Sequence, residues 1–324
     1  MPSLTDIEAA ARNVYAAMSP TPQQPWPLLA QRAGCEVWVK HENHTPTGAF
    51  KVRGGLNLLA QLTSREPRFP GVISATRGNH GQSLAFAARR HGVRCRIVVP
   101  EGNSKDKNAA MRAFGAELDV HGRDFDEARE HAGRLAQAEG LRFVGPFEAE
   151  LVAGVATYAL EFLRAAPPID TVFVPIGCGS GICGLIAARD ALGLATKIVG
   201  VVSTNANAYA QSFRTRERVE TATAVTLADG MAVRVPVPAA LEAIWRGAHD
   251  VVEVTDAEVE AAIRAYFDDT HQLAEGAGAA PLAALLKTGK RAGKRMGVIL
   301  TGGNIDRDVY ARVLGDLTTE HGLA

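Results

Sequence analysis

Short β-branched runs alternate with alanine-rich stretches of helical length along nearly the whole chain, and this alternation constrains the fold more than any single motif. Strands are expected at 36–40, 71–74, 94–99, 118–120, 171–176, 197–202 and 296–300. Helices are expected at 6–18, 53–62, 81–91, 104–114, 124–139, 153–165, 184–192, 256–266, 278–287 and 306–317. Strands separated by helices in this way build parallel sheets with helices on both faces, an α/β architecture. Asp124 and Asp256 are placed to cap helices, and Asp6 precedes an amphipathic run. The 324 residues have room for two lobes or one large domain. No fixed-period repeat is evident and no linker marks a boundary. The best candidate crossings are Gly145-Pro146-Phe147 and the Pro/Gly turn before Lys51. The expected division is a small α/β lobe at 52–148 and a large lobe built from 1–51 plus 149–324. A ligand would lie in the cleft where the C-terminal ends of the strands face each other.

Charge and composition exclude several classes. Lys+Arg and Asp+Glu balance at 35 each, so nothing points to nucleic acid or an anionic membrane surface. The longest apolar runs are strand-length, which argues against a membrane span. No basic segment followed by an apolar one opens the chain, so a secretory signal is not expected. The four cysteines, Cys35, Cys95, Cys178 and Cys183, form no disulfide framework and no paired CxxC spacing, and read as free thiols of a cytoplasmic protein. No HxxxH or HExxH spacing with a matching carboxylate suggests a metal, and no GxSxG elbow is present.

One lysine stands apart from the others. Lys105, Lys107, Lys287, Lys290 and Lys294 lie in polar stretches and are expected to be solvated, while Lys40 and Lys197 flank strands. Lys51 follows the turn Thr45-Pro46-Thr47-Gly48-Ala49-Phe50, where a helix should begin. A merely solvated lysine there would sit in the unfavourable positive field of a helix start. The same field, with partial desolvation, lowers the pKa of the amine and suits it to bond a carbonyl as a Schiff base.

Four polar, glycine-rich turns follow strands or precede helices. The run Gly177-Cys178-Gly179-Ser180-Gly181 comes after an apolar strand and before a helix, an arrangement that offers backbone N–H groups to a phosphate. A dinucleotide fits poorly, because Ile182 stands where GxGxxG needs glycine and the next strand ends at Val202-Ser203 without an acid. No Walker GxxxxGK[ST] is present, and a single phosphate on a smaller cofactor fits better. Ser74-Ala75-Thr76-Arg77-Gly78-Asn79-His80-Gly81-Gln82 forms a second such turn, rich in donors for a carboxylate. Thr301-Gly302-Gly303-Asn304 and Glu275-Gly276-Ala277-Gly278 are the third and fourth. Each turn alone is also read as ordinary capping chemistry.

Together these segments resemble the fold-type II pyridoxal phosphate enzymes, specifically the serine/threonine dehydratase group. The resemblance spans about residues 20–315, with Thr-Gly-Ala-Phe-Lys at 47–51, Gly-Asn-His-Gly-Gln at 78–82, the glycine loop 177–181, Ala-Asp-Gly-Met-Ala-Val at 228–233, Glu-Gly-Ala-Gly-Ala-Ala at 275–280 and Gly-Gly-Asn at 302–304. It implies two lobes, each a largely parallel sheet, with pyridoxal 5'-phosphate in the cleft. By that similarity Lys51 is the Schiff-base lysine and Phe50 packs by the cofactor ring. Asn79 bonds the 3-oxygen, and Gly177, Cys178, Gly179, Ser180 and Gly181 cradle the phosphate. Thr301 faces the pyridine nitrogen, and Glu275 lies near the cofactor. Thr76, Asn79 and His80 hold the substrate carboxylate. The implied reaction is removal of the β-hydroxyl from a 3-hydroxy amino acid, of serine/threonine or 3-hydroxyaspartate type, to give a 2-oxo acid and ammonia. A homodimer is implied as well.

Three departures qualify that expectation. Arg77 replaces the small residue of dehydratases and the second-face serine of serine racemases. That weakens a racemase reading and suggests recognition of a distal carboxylate, as in 3-hydroxyaspartate, against the alternative that Arg77 points to solvent or to a structural carboxylate. Val202 and Ala208 stand where some relatives place acidic ligands, so no divalent-cation site is expected. No regulatory domain is expected after residue 324. Cysteine synthase-like β-replacement remains an alternative on the same cofactor, and an NAD-dependent oxidoreductase an alternative outside the class.

Overall fold

Near-continuous apolar runs such as Thr171–Pro175 and Met296–Leu300 can be satisfied only where a sheet is covered on both sides. The computed structural model, which describes residues 1–66, 68–289 and 293–315, places them there. In chain order the elements begin with α1 (Leu4–Tyr15), β1 (Gln23–Pro25), α2 (Pro27–Ala33), β2 (Glu36–His41), α3 (Lys51–Arg65), β3 (Val72–Ala75) and α4 (Asn79–Arg90). Next come β4 (Cys95–Val99), α5 (Lys105–Ala113), β5 (Glu117–Val120), α6 (Phe125–Glu139), β6 (Arg142–Phe143), α7 (Ala149–Ala165), β7 (Thr171–Pro175) and α8 (Ser180–Ala191). The chain continues through β8 (Lys197–Ser203), α9 (Ala208–Thr215), α10 (Pro238–Gly247), β9 (Asp250–Val254), α11 (Asp256–Thr270), α12 (Gly276–Thr288), β10 (Arg295–Leu300) and α13 (Arg307–Gly315).

Two sheets result. One has the order β5-β4-β3-β6 and is parallel throughout. The other has the order β1-β2-β10-β7-β8-β9 and is parallel except for β1, which runs antiparallel to β2. Helices α3 and α7 meet closely because Gly154 carries no side chain: a Cβ there would lie 2.3 Å from the Arg53 carbonyl oxygen. No helix among the described residues is long and apolar enough to cross a membrane.

The seven expected strands are present, as are all ten expected helices, though residues 316–317 of the last lie outside the described residues. Six further elements, β1, β6, β9, α2, α9 and α10, have between two and ten residues. β1, β6, β9 and α2 are too short to carry a periodic signal, whereas α9 and α10 are short amphipathic helices. Helix starts differ systematically. Helices α3, α4, α8 and α12 each begin two to four residues before the expected position, inside the glycine-rich turns. Glycine and polar residues have weak helix propensity, and tertiary contacts overrule it there. Asp124 caps α6 as expected, accepting from the Glu127 N–H at 3.0 Å. Asp256 does not cap α11. Thr255 does, in a reciprocal box with Glu258, and the Asp256 carboxylate instead accepts from Thr226 Oγ1 and Leu227 N.

Candidate active site

The C-terminal ends of β3, β7 and β10 open into one cleft between the two sheets, of about 1070 Å³ including its mouth. That position is where parallel sheets bind ligands. The turns before α3, α4, α8 and α12 line it, so four helix N-termini converge there. All the expected site residues border this cleft: Phe50, Lys51, Thr76, Arg77, Asn79 and His80 from one part of the chain, and Gly177, Cys178, Gly179, Ser180, Gly181, Glu275 and Thr301 from the other.

Lys51 is the first residue of α3, and its Nζ donates to Ser180 Oγ, the first residue of α8, at 2.8 Å. The amine thus lies between two helix N-termini, where positive charge is disfavoured. Burial pushes its pKa below the usual lysine value, and the Cys178 thiol beside it pulls partly back. Phe50 fixes the lysine from behind. Its N–H donates to the Thr301 carbonyl at 2.9 Å, and its ring meets Tyr158 edge-on at 6.2 Å. Tyr158 in turn donates to the Gly181 carbonyl at 2.9 Å.

The 177–181 loop fits a phosphate. The N–H groups of Cys178, Gly179, Ser180 and Gly181 have no backbone acceptor. Gly179 has φ +98°, which disfavours side chains, and a Cβ on Gly177 would lie 2.1 Å from the Gly230 carbonyl oxygen. Free amides, an uncrowded backbone and a helix start are what a pyridoxal phosphate tail requires, and the depressed lysine 2.8 Å from Ser180 suits its aldehyde.

Across the cleft, Asn79 Nδ2 donates to Glu275 Oε1 at 2.6 Å, while Asn79 Oδ1 accepts from Asn304 Nδ2 at 2.8 Å. Burial raises the pKa of the Glu275 carboxyl. Gly302 leaves room for Glu275, because a Cβ there would come 2.5 Å from Oε1. Thr301 is buried at the end of β10 and borders the cleft. Thr76 Oγ1 accepts from the Gly78 N–H at 3.0 Å, closing the turn that precedes α4. His80 is buried, and its Nε2 has no partner among the described residues. Burial and the nearby Lys51 push its pKa down to about 3, so the ring is neutral. Arg77 is exposed at the cleft edge, with no ion pair among the described residues. Val202 and Ala208 are fully buried apolar residues.

Two cations were misplaced or missed by the sequence reading. Lys105, Lys287 and Lys294 are exposed as expected, and Lys290 lies outside the described residues. Lys107 is not solvated. It is 9% exposed, borders the cleft, and its Nζ lies 3.4 Å from Asp229 Oδ2 and 3.9 Å from Glu275 Oε2. Its sequence neighbours are polar, and only the fold brings carboxylates from the other sheet to it. Arg53, two residues past Lys51, is fully buried. It holds Glu42 through two bonds of 2.6 and 2.9 Å and Glu161 through bonds of 2.6 and 3.0 Å, while Lys40 also pairs with Glu161 at 2.5 Å. This cluster fixes the first turn of α3.

Residues 14–302 match the family described as pyridoxal-phosphate dependent enzyme. The chain is 35% identical over 317 residues to the L-threonine ammonia-lyase of Thermotoga maritima, covering 97% of this chain and 78% of that one. A pyridoxal 5'-phosphate-dependent aspartate racemase superposes with a TM-score of 0.90 at 28% identity, over 95% of this chain and 98% of the other. Threonine deaminase isoform 2 of Solanum lycopersicum gives a TM-score of 0.89 at 28% identity, over 98% and 95%.

Proposed function

The chain belongs to the pyridoxal-phosphate dependent enzymes, and from that membership we propose that it is an ammonia-lyase acting on 3-hydroxy amino acids. The observation that carries the reading is the Lys51 amine, buried between two helix starts and 2.8 Å from Ser180. Similarity to an L-threonine ammonia-lyase over nearly the whole chain supports it.

When bound, pyridoxal 5'-phosphate supplies the conjugated electron sink for the charge left on Cα. Its phosphate is assigned to the N–H groups of 178–181 and its ring to the face of Phe50. Its 3-oxygen falls to the uncommitted N–H of Asn79, its pyridine nitrogen to Thr301, with Glu275 beside it. The substrate carboxylate is assigned to the start of α4, where Thr76 closes the turn. His80 enters differently from the sequence expectation: with the ring neutral and one nitrogen on the Val144 backbone, its Nε2 has only a lone pair to offer, so backbone N–H groups rather than the imidazole meet the carboxylate. Lys51 Nζ, whose pKa burial pushes below the usual lysine value, takes the proton from Cα. Lys51 would return that proton to the departing hydroxyl, which leaves Cβ as water, and the released enamine takes up water and divides into a 2-oxo acid and ammonia. The Arg77 guanidinium offers donors and no acceptor, so it supplies no base on the opposite face, which disfavours racemisation. Residues 52–148 are read as the small lobe and 1–51 plus 149–324 as the large one, in a cytoplasmic homodimer.

Purified protein given pyridoxal phosphate and a panel of 3-hydroxy amino acids is expected to release ammonia and a 2-oxo acid. Lys51→Ala is expected to abolish release, along with the cofactor mass retained on the protein after borohydride. Sulfide-dependent turnover of O-acetylserine without ammonia release from the panel would replace this reading with β-replacement.

A further inference from the structure

Once the cofactor contacts are assigned, the substrate side of the cleft retains two cations. Arg77 stands at its edge without a carboxylate partner among the described residues. Lys107 is buried beside it, its stem lying across the same turn. A Cβ on Gly78 would fall 2.5 Å from Lys107 Cδ, so glycine at 78 is what admits that side chain to the cleft. The Lys107 amine sits 3.4 Å from Asp229 and 3.9 Å from Glu275. Both separations exceed the ~2.7–2.9 Å of a charge-assisted hydrogen bond, so neither carboxylate has taken up its donors fully. The facing acids are Asp229, half-exposed at the mouth, Glu275, whose pKa burial raises, and Asp306, which adds to their field. Arg77 has no carboxylate partner among the described residues, Lys107 is held only at these longer distances, and the substrate's α-carboxylate is assigned to the start of α4.

We propose that the substrate carries a second anionic group on its side chain, and that Arg77 and Lys107 hold it. The substrate class is then a 3-hydroxy amino acid with a distal carboxylate, such as 3-hydroxyaspartate. This deepens the ammonia-lyase reading and rests on it for the reaction, though not for the binding. Phe125, Pro146 and Val233 also border the cleft and would favour an apolar side chain instead.

The test uses the holoenzyme with 3-hydroxyaspartate, threonine and phenylserine. The expected order of kcat/KM places 3-hydroxyaspartate first. In Arg77→Ala the ratio of kcat/KM for 3-hydroxyaspartate over threonine is expected to fall at least ~10-fold, chiefly through KM, as loss of a charged hydrogen-bonding partner implies. Arg77→Lys is expected to restore part of the ratio, and Lys107→Met to lower it. Binding is read without turnover from the thermal midpoint: succinate raises it and butyrate does not, and Arg77→Ala removes the difference. An unchanged ratio in Arg77→Ala, or preference for threonine or phenylserine, overturns the proposal. If succinate stabilises the protein through Arg77 while no 3-hydroxy amino acid is consumed, the ammonia-lyase reading fails and the dianion site stands.

Discussion

Gly177 has no room for a methyl group. A Cβ there would lie 2.1 Å from the Gly230 carbonyl oxygen, which belongs to backbone and cannot swing aside. The close approach brings the 177–181 loop against the Asp229-Gly230 segment, so the phosphate cradle and the mouth of the cleft share one contact. Gly177→Ala is therefore expected to act twice. Displacing backbone in a packed region costs about 1–3 kcal/mol, read from urea unfolding of the apoprotein. Shifted loop amides also weaken the cradle, so the variant should lose pyridoxal phosphate on dialysis where the wild type retains it. Gly133→Ala serves as the control: nothing lies within 4 Å of that Cβ, in the interior of α6, and it should stabilise by about 0.5–1 kcal/mol. Equal behaviour of the two variants would remove the packing argument.

Helix α3 carries Lys51 on its first turn, and the charges behind that turn fix where the amine can be. Arg53 bonds both oxygens of Glu42 and of Glu161, and Lys40 completes the group. Two cations and two carboxylates, of which Lys40, Arg53 and Glu42 are buried and Glu161 is partly so, tie α3 to the end of β2 and to α7. Such a cluster need not stabilise more than an apolar equivalent, but breaking it strands a charge. Arg53→Met leaves Glu42 buried without its guanidinium and is expected to cost about 3–5 kcal/mol in denaturant unfolding. Adding Glu42→Gln removes the stranded charge and should recover part of that loss, a non-additivity read by a double-mutant cycle. A pair of variants whose effects simply add would show that the cluster does not act as a unit.

At the scale of the whole molecule, what the sequence conveys is what lies contiguously along it. Lys51 after its turn, the 177–181 glycines and the polar ends of strands are each local runs, and they converge because parallel strands all end on one side of their sheets. Lys107 and Arg53 were invisible for the opposite reason. Their partners Asp229 and Glu161 are 122 and 108 residues away, and polar neighbours in sequence suggested solvent for Lys107. The burial of His41 and His80 is likewise a product of the fold, and the two rings set the acid limit of its stability. His41 accepts from Trp26 Nε1 at 3.0 Å, and burial pushes its pKa down to about 4; His80 is pushed down to about 3. Both lie below the 6.5 of an unperturbed imidazole. Between these values the unfolded chain binds protons that the folded chain excludes, so stability is full above the unfolded value and falls as pH drops. Each histidine contributes about 1.4 kcal/mol per pH unit to that slope. Glu275 has the opposite sign: its carboxyl is raised from 4.5, so above that pH it favours the unfolded chain as pH rises. Comparison between variants isolates the histidines from it. Urea unfolding of apoprotein between pH 4.5 and 7 should show a shallower acid limb in His41→Asn and in His80→Asn, by about 1.4 kcal/mol per unit each, and the shallowest in the double variant. Parallel acid limbs in all four proteins would mean that these imidazoles protonate freely in the folded state, and the neutral ring assigned to His80 beside Lys51 would have to be given up.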